Sequence, residues 1–212
     1  MTLTNKKNGG FSLVELMIAM TIMLILMGVV SMLMSRSFGV RARESRRTDA
    51  LTSAQAALNV LSREISNAGF GIYDNQLTRR PNNGLILADC NENKLRFRTN
   101  FSNNNSSTNS AGEDVTFFFD SATSSIVRYD PNGSPQTSVI VNRISNVSYL
   151  YYQYTGANST PTTSTTPTAD TGRVRITVSV TLDPVQGQPN NQTVTFSSEV
   201  TLRNSSYMLN QY

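Results

Sequence analysis

The sequence of 212 residues contains no histidine and no tryptophan, and its single cysteine is Cys90. Without histidine, the chain cannot supply the Ser-His-Asp or Cys-His arrangements of nucleophilic catalysis or a histidine-ligated zinc site. One cysteine allows neither an intrachain disulfide nor a thiolate cage for a metal. We therefore expect Cys90 to be a small buried residue. We also expect no enzymatic activity and no cofactor.

Charged residues are scarce as well, at 15% of the chain, and the net charge of +4 is unevenly distributed. Five arginines follow the longest apolar run within a short stretch: Arg36, Arg41, Arg43, Arg46 and Arg47. This concentration favours a helix surface over a nucleic-acid platform. No basic residue interleaves with the tyrosines of residues 149–154, as binding of single-stranded DNA would require. We therefore do not expect this chain to bind nucleic acid.

The longest apolar run extends from Phe11 to Met34 and contains one acidic residue, Glu15. A helix of this length can cross the ~30 Å hydrocarbon core of a membrane. A carboxylate in the bilayer costs on the order of 3 kcal/mol, so it indicates a function and a partner. We predict that residues 11–34 form a membrane helix and that Glu15 has a specific partner.

One possible partner would be created by cleavage of the chain between Gly10 and Phe11. The cut would produce an α-amine four residues before Glu15, on the same helical face, although at the frayed start of the helix. The amine of a neighbouring copy in a packed bundle is an equally good partner. In either arrangement Glu15 is predicted to be an assembly residue.

These residues resemble the processing signature of the type IV prepilin family, which combines a short basic leader, a glycine, an apolar residue and a glutamate. The matching residues are Lys6, Lys7, Gly10, Phe11 and Glu15. The resemblance implies cleavage after Gly10 by a prepilin peptidase, N-methylation of Phe11 and storage in the bacterial inner membrane. It also implies association with other major and minor pilins and with an inner-membrane assembly platform.

A secretory signal peptide and a plain membrane anchor are two simpler interpretations of the same segment. The apolar run is roughly twice as long as a signal-peptide core, contains Glu15 and lacks a small-x-small cleavage site after it. A plain anchor explains neither Glu15 nor Gly9-Gly10. The positive-inside rule would place the arginine-rich side in the cytoplasm. We predict the opposite, a periplasmic C-terminal domain, from the resemblance and from a downstream composition rich in Asn, Ser and Thr.

Apolar residues at three- and four-residue spacing predict that the helix continues beyond the membrane. They are Leu51, Ala54, Leu58, Leu61, Ile65 and Ala68. Gly69 and Gly71 are predicted to end this helix, which would run from Phe11 to Ala68. We therefore divide the chain into a leader (1–10), a membrane helix (11–34), its amphipathic continuation (35–70) and a β-rich domain (71–212).

The segment from Leu61 to Gly71 resembles the end of the helix in PilW-type minor pilins, and J-type pseudopilins of type II secretion are similar there. The resemblance implies a structural subunit of a type IV pilus-like filament that acts in initiation and at the tip. A J-type minor pseudopilin is one alternative. Another alternative, of a different class, is a membrane-tethered adhesive or DNA-uptake module.

Alternating apolar residues after position 80 predict an antiparallel sheet and hence an α+β, pilin-like fold. The predicted strands are Gly84–Ala88, Lys94–Thr99, Val115–Phe119, Ser125–Tyr129, Val139–Tyr154, Arg173–Leu182 and Thr193–Leu202, of which the last two should pair. Residues 130–133, Asp-Pro-Asn-Gly, predict a turn, since an EF-type calcium loop needs further oxygen ligands that do not follow. We expect no metal there, and we expect residues 100–112 and 155–172 to form exposed polar loops.

Overall fold

The computed structural model describes residues 10–73, 82–102, 107–156, 160–182, 184 and 192–209. Within these residues the chain forms a long helix α1 (Leu13–Ile65), eight strands and a short helix α2 (Ser206–Leu209). The strands are β1 (Lys94–Arg98), β2 (Asp114–Asp120), β3 (Ser125–Tyr129), β4 (Thr137–Val141), β5 (Asn146–Gln153), β6 (Thr162–Ser164), β7 (Thr171–Thr181) and β8 (Thr193–Thr201). All strand pairs are antiparallel. The prediction of an α+β, pilin-like layout is confirmed.

Helix α1 is shorter at both ends than the predicted range from Phe11 to Ala68. At the C-terminal end, the residues after Ile65 form turns rather than further helix. Gly69 and Gly71 have φ angles of +78° and +68°, a left-handed conformation that glycine adopts without a steric penalty. The two glycines therefore redirect the chain as predicted, and the helix ends a few residues before them.

Packing divides the chain into two units, one containing α1 up to Ser45 and the other Arg46–Pro184 with Pro189–Tyr212. In the second unit, α1 buries a face formed by Ala50, Ala54, Ala57, Leu61 and Ile65. The prediction that Leu51 belongs to this face is wrong, because its side chain is exposed. Alanines at 50, 54 and 57 allow the helix backbone to lie close to the core, so the larger Leu51 is displaced to the flank.

The first sheet has the strand order β1-β2-β3-β4. Leu95 pairs with Phe117 and Phe97 with Val115, and all four side chains are buried in the common core. The strand predicted at Gly84–Ala88 is wrong, since only Leu85 forms a bridge, to Phe97. The following residues, Leu87–Asp89, form a 3-10 turn instead.

The second sheet has the order β6-β5-β7-β8, and the predicted pairing of its last two strands is confirmed. The prediction of one sheet with a strand from Val139 to Tyr154 is wrong, because that stretch contains β4 of the first sheet and β5 of the second. Arg143, at a φ of +61°, reverses the chain between them. Ile144 then donates its N–H to the Ser124 carbonyl and Ser145 donates to the Ser179 carbonyl.

The two predicted polar loops are only partly exposed. In the first, Asn100 is buried, and the buried Glu113 carboxylate accepts hydrogen bonds from the N–H groups of Ser102 and Ser110. Burial raises the pKa of Glu113, but these hydrogen bonds outweigh it and lower the pKa below the usual value. The second loop contains β6, which sequence reasoning missed because its residues are polar.

The turn after α1 packs backbone against backbone at Gly69 and Gly84. A Cβ on Gly84 would lie 2.0 Å from the Gly69 nitrogen, and Gly84 itself has a φ of +75°. We expect Gly84→Ala to lower the free energy of unfolding by about 2–3 kcal/mol, because the cost of the clash adds to the cost of a left-handed backbone at alanine. Denaturant unfolding of the full chain in detergent, followed through the β-domain, would measure it. Gly39→Ala is the control, because no atom lies within 4 Å of its added Cβ; equal effects would contradict the assignment.

Candidate processing and assembly site

The predicted cleavage position lies just before α1, in a segment without secondary structure. Gly10 is exposed, and a Cβ added there would meet no atom within 4 Å. The Phe11 side chain is 80% exposed. The Gly10–Phe11 bond is therefore open to an enzyme as far as the described residues are concerned, which is the geometry that cleavage at this bond requires.

Glu15 lies in the first turn of α1, where a carboxylate can take part in helix capping and can interact with the helix dipole. Leu16 donates its N–H to the Ser12 carbonyl over 3.1 Å, so Ser12 is the N-cap residue and Glu15 is the third helical residue. Serine and glutamate at this spacing form the sequence signature of a capping box. A carboxylate in the first turn also interacts favourably with the helix dipole. Sequence reasoning missed this local role, although the Ser-x-x-Glu spacing signals it.

The structure also limits which amine Glu15 can pair with. Because α1 begins at Leu13, Phe11 lies outside the helix, and the same-face argument for pairing within one chain does not hold. Among the described residues Glu15 forms no ion pair. The Phe11 nitrogen is still an amide in this uncleaved chain, so pairing of Glu15 with an amine, within the chain or of a neighbouring subunit, stays a prediction.

The part of α1 from Leu16 to Met34 carries no charged side chain, and none of the membrane-length window is buried. Its one hydroxyl near the centre, that of Thr21, donates to the Met17 carbonyl over 2.7 Å. An internal hydrogen bond of this kind makes a hydroxyl compatible with a hydrocarbon environment. By length and composition the helix can cross a membrane, and its surface must be covered by lipid or by other helices.

Residues 5–31 match the model of the prokaryotic N-terminal methylation motif. The match supports a prepilin-like family. The motif implies processing by a prepilin peptidase, association with pilins and anchoring in a membrane, as expected for a type IV pilin-like or pseudopilin-like protein. No curated protein and no solved structure matches the chain.

The helix-end segment from Leu61 to Gly71 has a structural function that the sequence did not reveal. The Glu64 carboxylate accepts a hydrogen bond from Nε of Arg128 in β3 over 3.0 Å, which ties α1 to the first sheet. Arg128 also contacts Asp130, 3.3 Å from its Oδ2. Arg63 is exposed and forms no ion pair among the described residues. Of these two neighbouring residues, Glu64 therefore anchors α1 to the sheet and Arg63 faces solvent.

Asp130, the first residue of the predicted turn, organises the loop between β3 and β4. Its carboxylate accepts hydrogen bonds from the N–H groups of Gly112 and Asn132, in addition to the contact with Arg128. In the described part of the chain, no group of three or more acidic or cysteine residues has the arrangement of a metal site. The turn prediction is confirmed, and protein groups occupy the Asp130 oxygens.

Two arginines lie close to the tyrosine run in space, although none does in sequence. Arg173 and Arg175 of β7 lie 5.8 Å and 5.3 Å from the ring centre of Tyr152. Both also bind Glu199, whose carboxylate accepts a hydrogen bond from the Tyr152 hydroxyl as well. These hydrogen bonds, that of Arg175 foremost, lower the pKa of Glu199. Tyr152 itself is buried, so its ring offers no face for stacking a base.

Cys90 is buried, as predicted. Its Sγ lies 3.2 Å from both the carbonyl oxygen and the nitrogen of Arg96 in β1. Burial raises the pKa of this thiol above its ordinary value. Because the thiolate is the reactive form, Cys90 is a packing residue rather than a nucleophile.

Proposed function

We propose that the protein is a minor pilin, a low-abundance structural subunit of a type IV pilus-like filament that acts in assembly initiation and at the tip. The role is structural rather than enzymatic. It begins with a subunit stored in the inner membrane with its β-domain in the periplasm. Cleavage between Gly10 and Phe11, methylation of the new amine and docking of α1 among neighbouring subunits follow.

One observation carries this proposal: a methylation motif lies at the start of a helix whose first half is exposed and apolar over a membrane-spanning length. A lipid bilayer covers such a surface while the subunit is stored, and a bundle of similar helices covers it after assembly. Glu15 has a use in the second state, where it neutralises the amine of a neighbour. A simple membrane anchor needs neither the motif nor the carboxylate.

The assignment as a minor subunit is supported by the β-domain. Its sequence contains two long segments rich in Asn, Ser and Thr, and the chain has one cysteine, so it lacks the intrachain disulfide that the resemblance associates with many abundant pilins. The helix-end segment from Leu61 to Gly71 resembles that of PilW-type minor pilins. A subunit at the tip of a filament has neighbours on one side only. The rest of its β-domain surface is then free of the contacts that a repeating subunit must make.

The decisive experiment is intact-mass analysis and N-terminal sequencing of the full chain from membranes, with and without the prepilin peptidase. We expect the mature chain to begin at an N-methylated Phe11 when the peptidase is present and at the original N-terminus when it is absent. Equal N-termini in the two strains, or a cut after Met34, would contradict the proposal and indicate an anchored or secreted binding domain.

A further inference from the structure

Strand β8 leaves one side of the second sheet open. Among the described residues it pairs only with β7. Leu202 donates its N–H to the Gly172 carbonyl, and the Gln192 carbonyl accepts from Leu182, so the even-numbered residues of β8 face β7. The backbone N–H and C=O groups of the odd-numbered residues therefore point to the free side: Thr193, Thr195, Ser197, Glu199 and Thr201. Such an edge is a template for another extended chain.

A groove lies beside the C-terminal end of this edge. The last turns of α1 and the residues that end β8 enclose about 570 Å³, open to solvent. Ser62, Arg63, Thr201, Arg203 and Met208 are among the lining residues. A chain that paired with the free side of β8 would therefore pass between two arginines from different elements.

The charge of this groove is not balanced within the domain. Arg63 and Arg203 form no ion pair among the described residues, whereas Arg96, Arg98, Arg128, Arg173 and Arg175 all do. Glu199, the acidic residue of the groove, already binds two arginines of β7. The groove therefore offers two available guanidinium groups, which suit a carboxylate in particular.

We propose that the free side of β8 and the adjoining groove form a docking site for an extended, carboxylate-bearing segment of a neighbouring subunit. The segment adds a strand to the second sheet through the backbone of the odd-numbered residues. Its acidic side chain or chain terminus binds Arg63 and Arg203. This inference takes from the proposed function only the origin of the segment, since the edge and the groove are properties of the β-domain.

The experiment is site-specific photo-crosslinking of the full chain in cells, with the photoreactive residue in place of Ser197. The control position is Thr177, which lies on β7 and has strands on both sides. We expect a cross-link from position 197 to one partner, mapping to a segment with an acidic residue or a chain terminus within a few residues. We expect none from position 177. Equal yields from both positions would overturn the inference.

Two further changes test the chemistry of the site. The double variant Arg63→Glu/Arg203→Glu should reduce the cross-link at least about tenfold, because it replaces attraction of the carboxylate by repulsion. Arg47→Glu, on α1 but outside the groove, should leave it unchanged. Thr195→Pro removes a free-side N–H without touching the β7 ladder and should abolish the cross-link, whereas Thr195→Ala should not. If the charge reversal left the cross-link yield unchanged, the segment would not bind through a carboxylate. If Thr195→Pro left it unchanged, the segment would not add a strand to β8.

These outcomes are separable from those of the processing experiment. A chain that begins at methylated Phe11 but gives no cross-link from position 197 would overturn the docking site alone. A chain with an unprocessed N-terminus that still gives the charge-dependent cross-link would overturn the filament proposal and retain the docking site.

Discussion

Gly10→Val is expected to leave the leader attached to the whole population of the protein. The mature chain is predicted to form by cleavage after Gly10, and a branched side chain at that position should not enter a peptidase site that selects glycine. The structure makes the test clean, because no atom lies within 4 Å of a Cβ at Gly10 and α1 begins only at Leu13. The substitution therefore leaves the folded chain unchanged, and any loss of cleavage reflects poorer recognition of the site by the peptidase.

Gly9→Val is the matched control for Gly10→Val, since it adds the same side chain one residue further from the bond. Intact mass and immunoblot mobility of membrane fractions report whether the leader is present, and N-terminal sequencing locates the cut. We expect Gly9→Val to be processed and Gly10→Val to retain the leader. Normal cleavage of the leader from Gly10→Val would contradict the peptidase assignment. Equal retention of the leader in both variants would contradict it as well.

The sequence was sufficient for the elements whose signal is local. The apolar run and the alternation of Val174, Ile176, Val178 and Val180 predicted α1 and β7, because helix and strand each repeat their burial at a fixed spacing. Gly69 and Gly71 predicted the break after the helix, because glycine adopts the left-handed backbone that ends a helix. Errors of two or three residues at the helix ends arose where capping, rather than periodicity, decides.

The division into two sheets was not predictable from these patterns. The stretch from Val139 to Tyr154 is apolar enough for one strand, and the reversal at Arg143 depends on hydrogen bonds to Ser124 and Ser179, which are distant in sequence. The same holds for Glu64 and Arg128, 64 residues apart, and for the arginines beside Tyr152. Contacts between distant residues create no periodicity, so sequence reasoning could not predict the groove beside the end of β8.

Glu15→Gln is expected to lower recovery of the protein in sheared filaments about a hundredfold, while processing and membrane residence are retained. In the assembled bundle Glu15 is predicted to pair with the Phe11 amine of a neighbour. Removing one partner of a buried pair leaves the other charge unpaired, at a cost of about 3–5 kcal/mol. Glutamine also suits the third helical position of a capping box, so this variant removes the charge and keeps the Ser-x-x-Glu/Gln capping signature.

Comparison with Glu15→Ala separates the two roles of this residue, because alanine removes both the charge and the cap. If pairing between subunits dominates, both variants should be processed, reside in the membrane and be lost from filaments to the same extent. If helix capping dominates, glutamine should behave as the natural residue does and alanine should be defective. Thr21→Val is the control, since the Thr21 hydroxyl hydrogen-bonds within α1, to the Met17 carbonyl, and this variant should assemble normally. Full recovery of Glu15→Gln in filaments would refute pairing with the amine and leave Glu15 as the cap of α1.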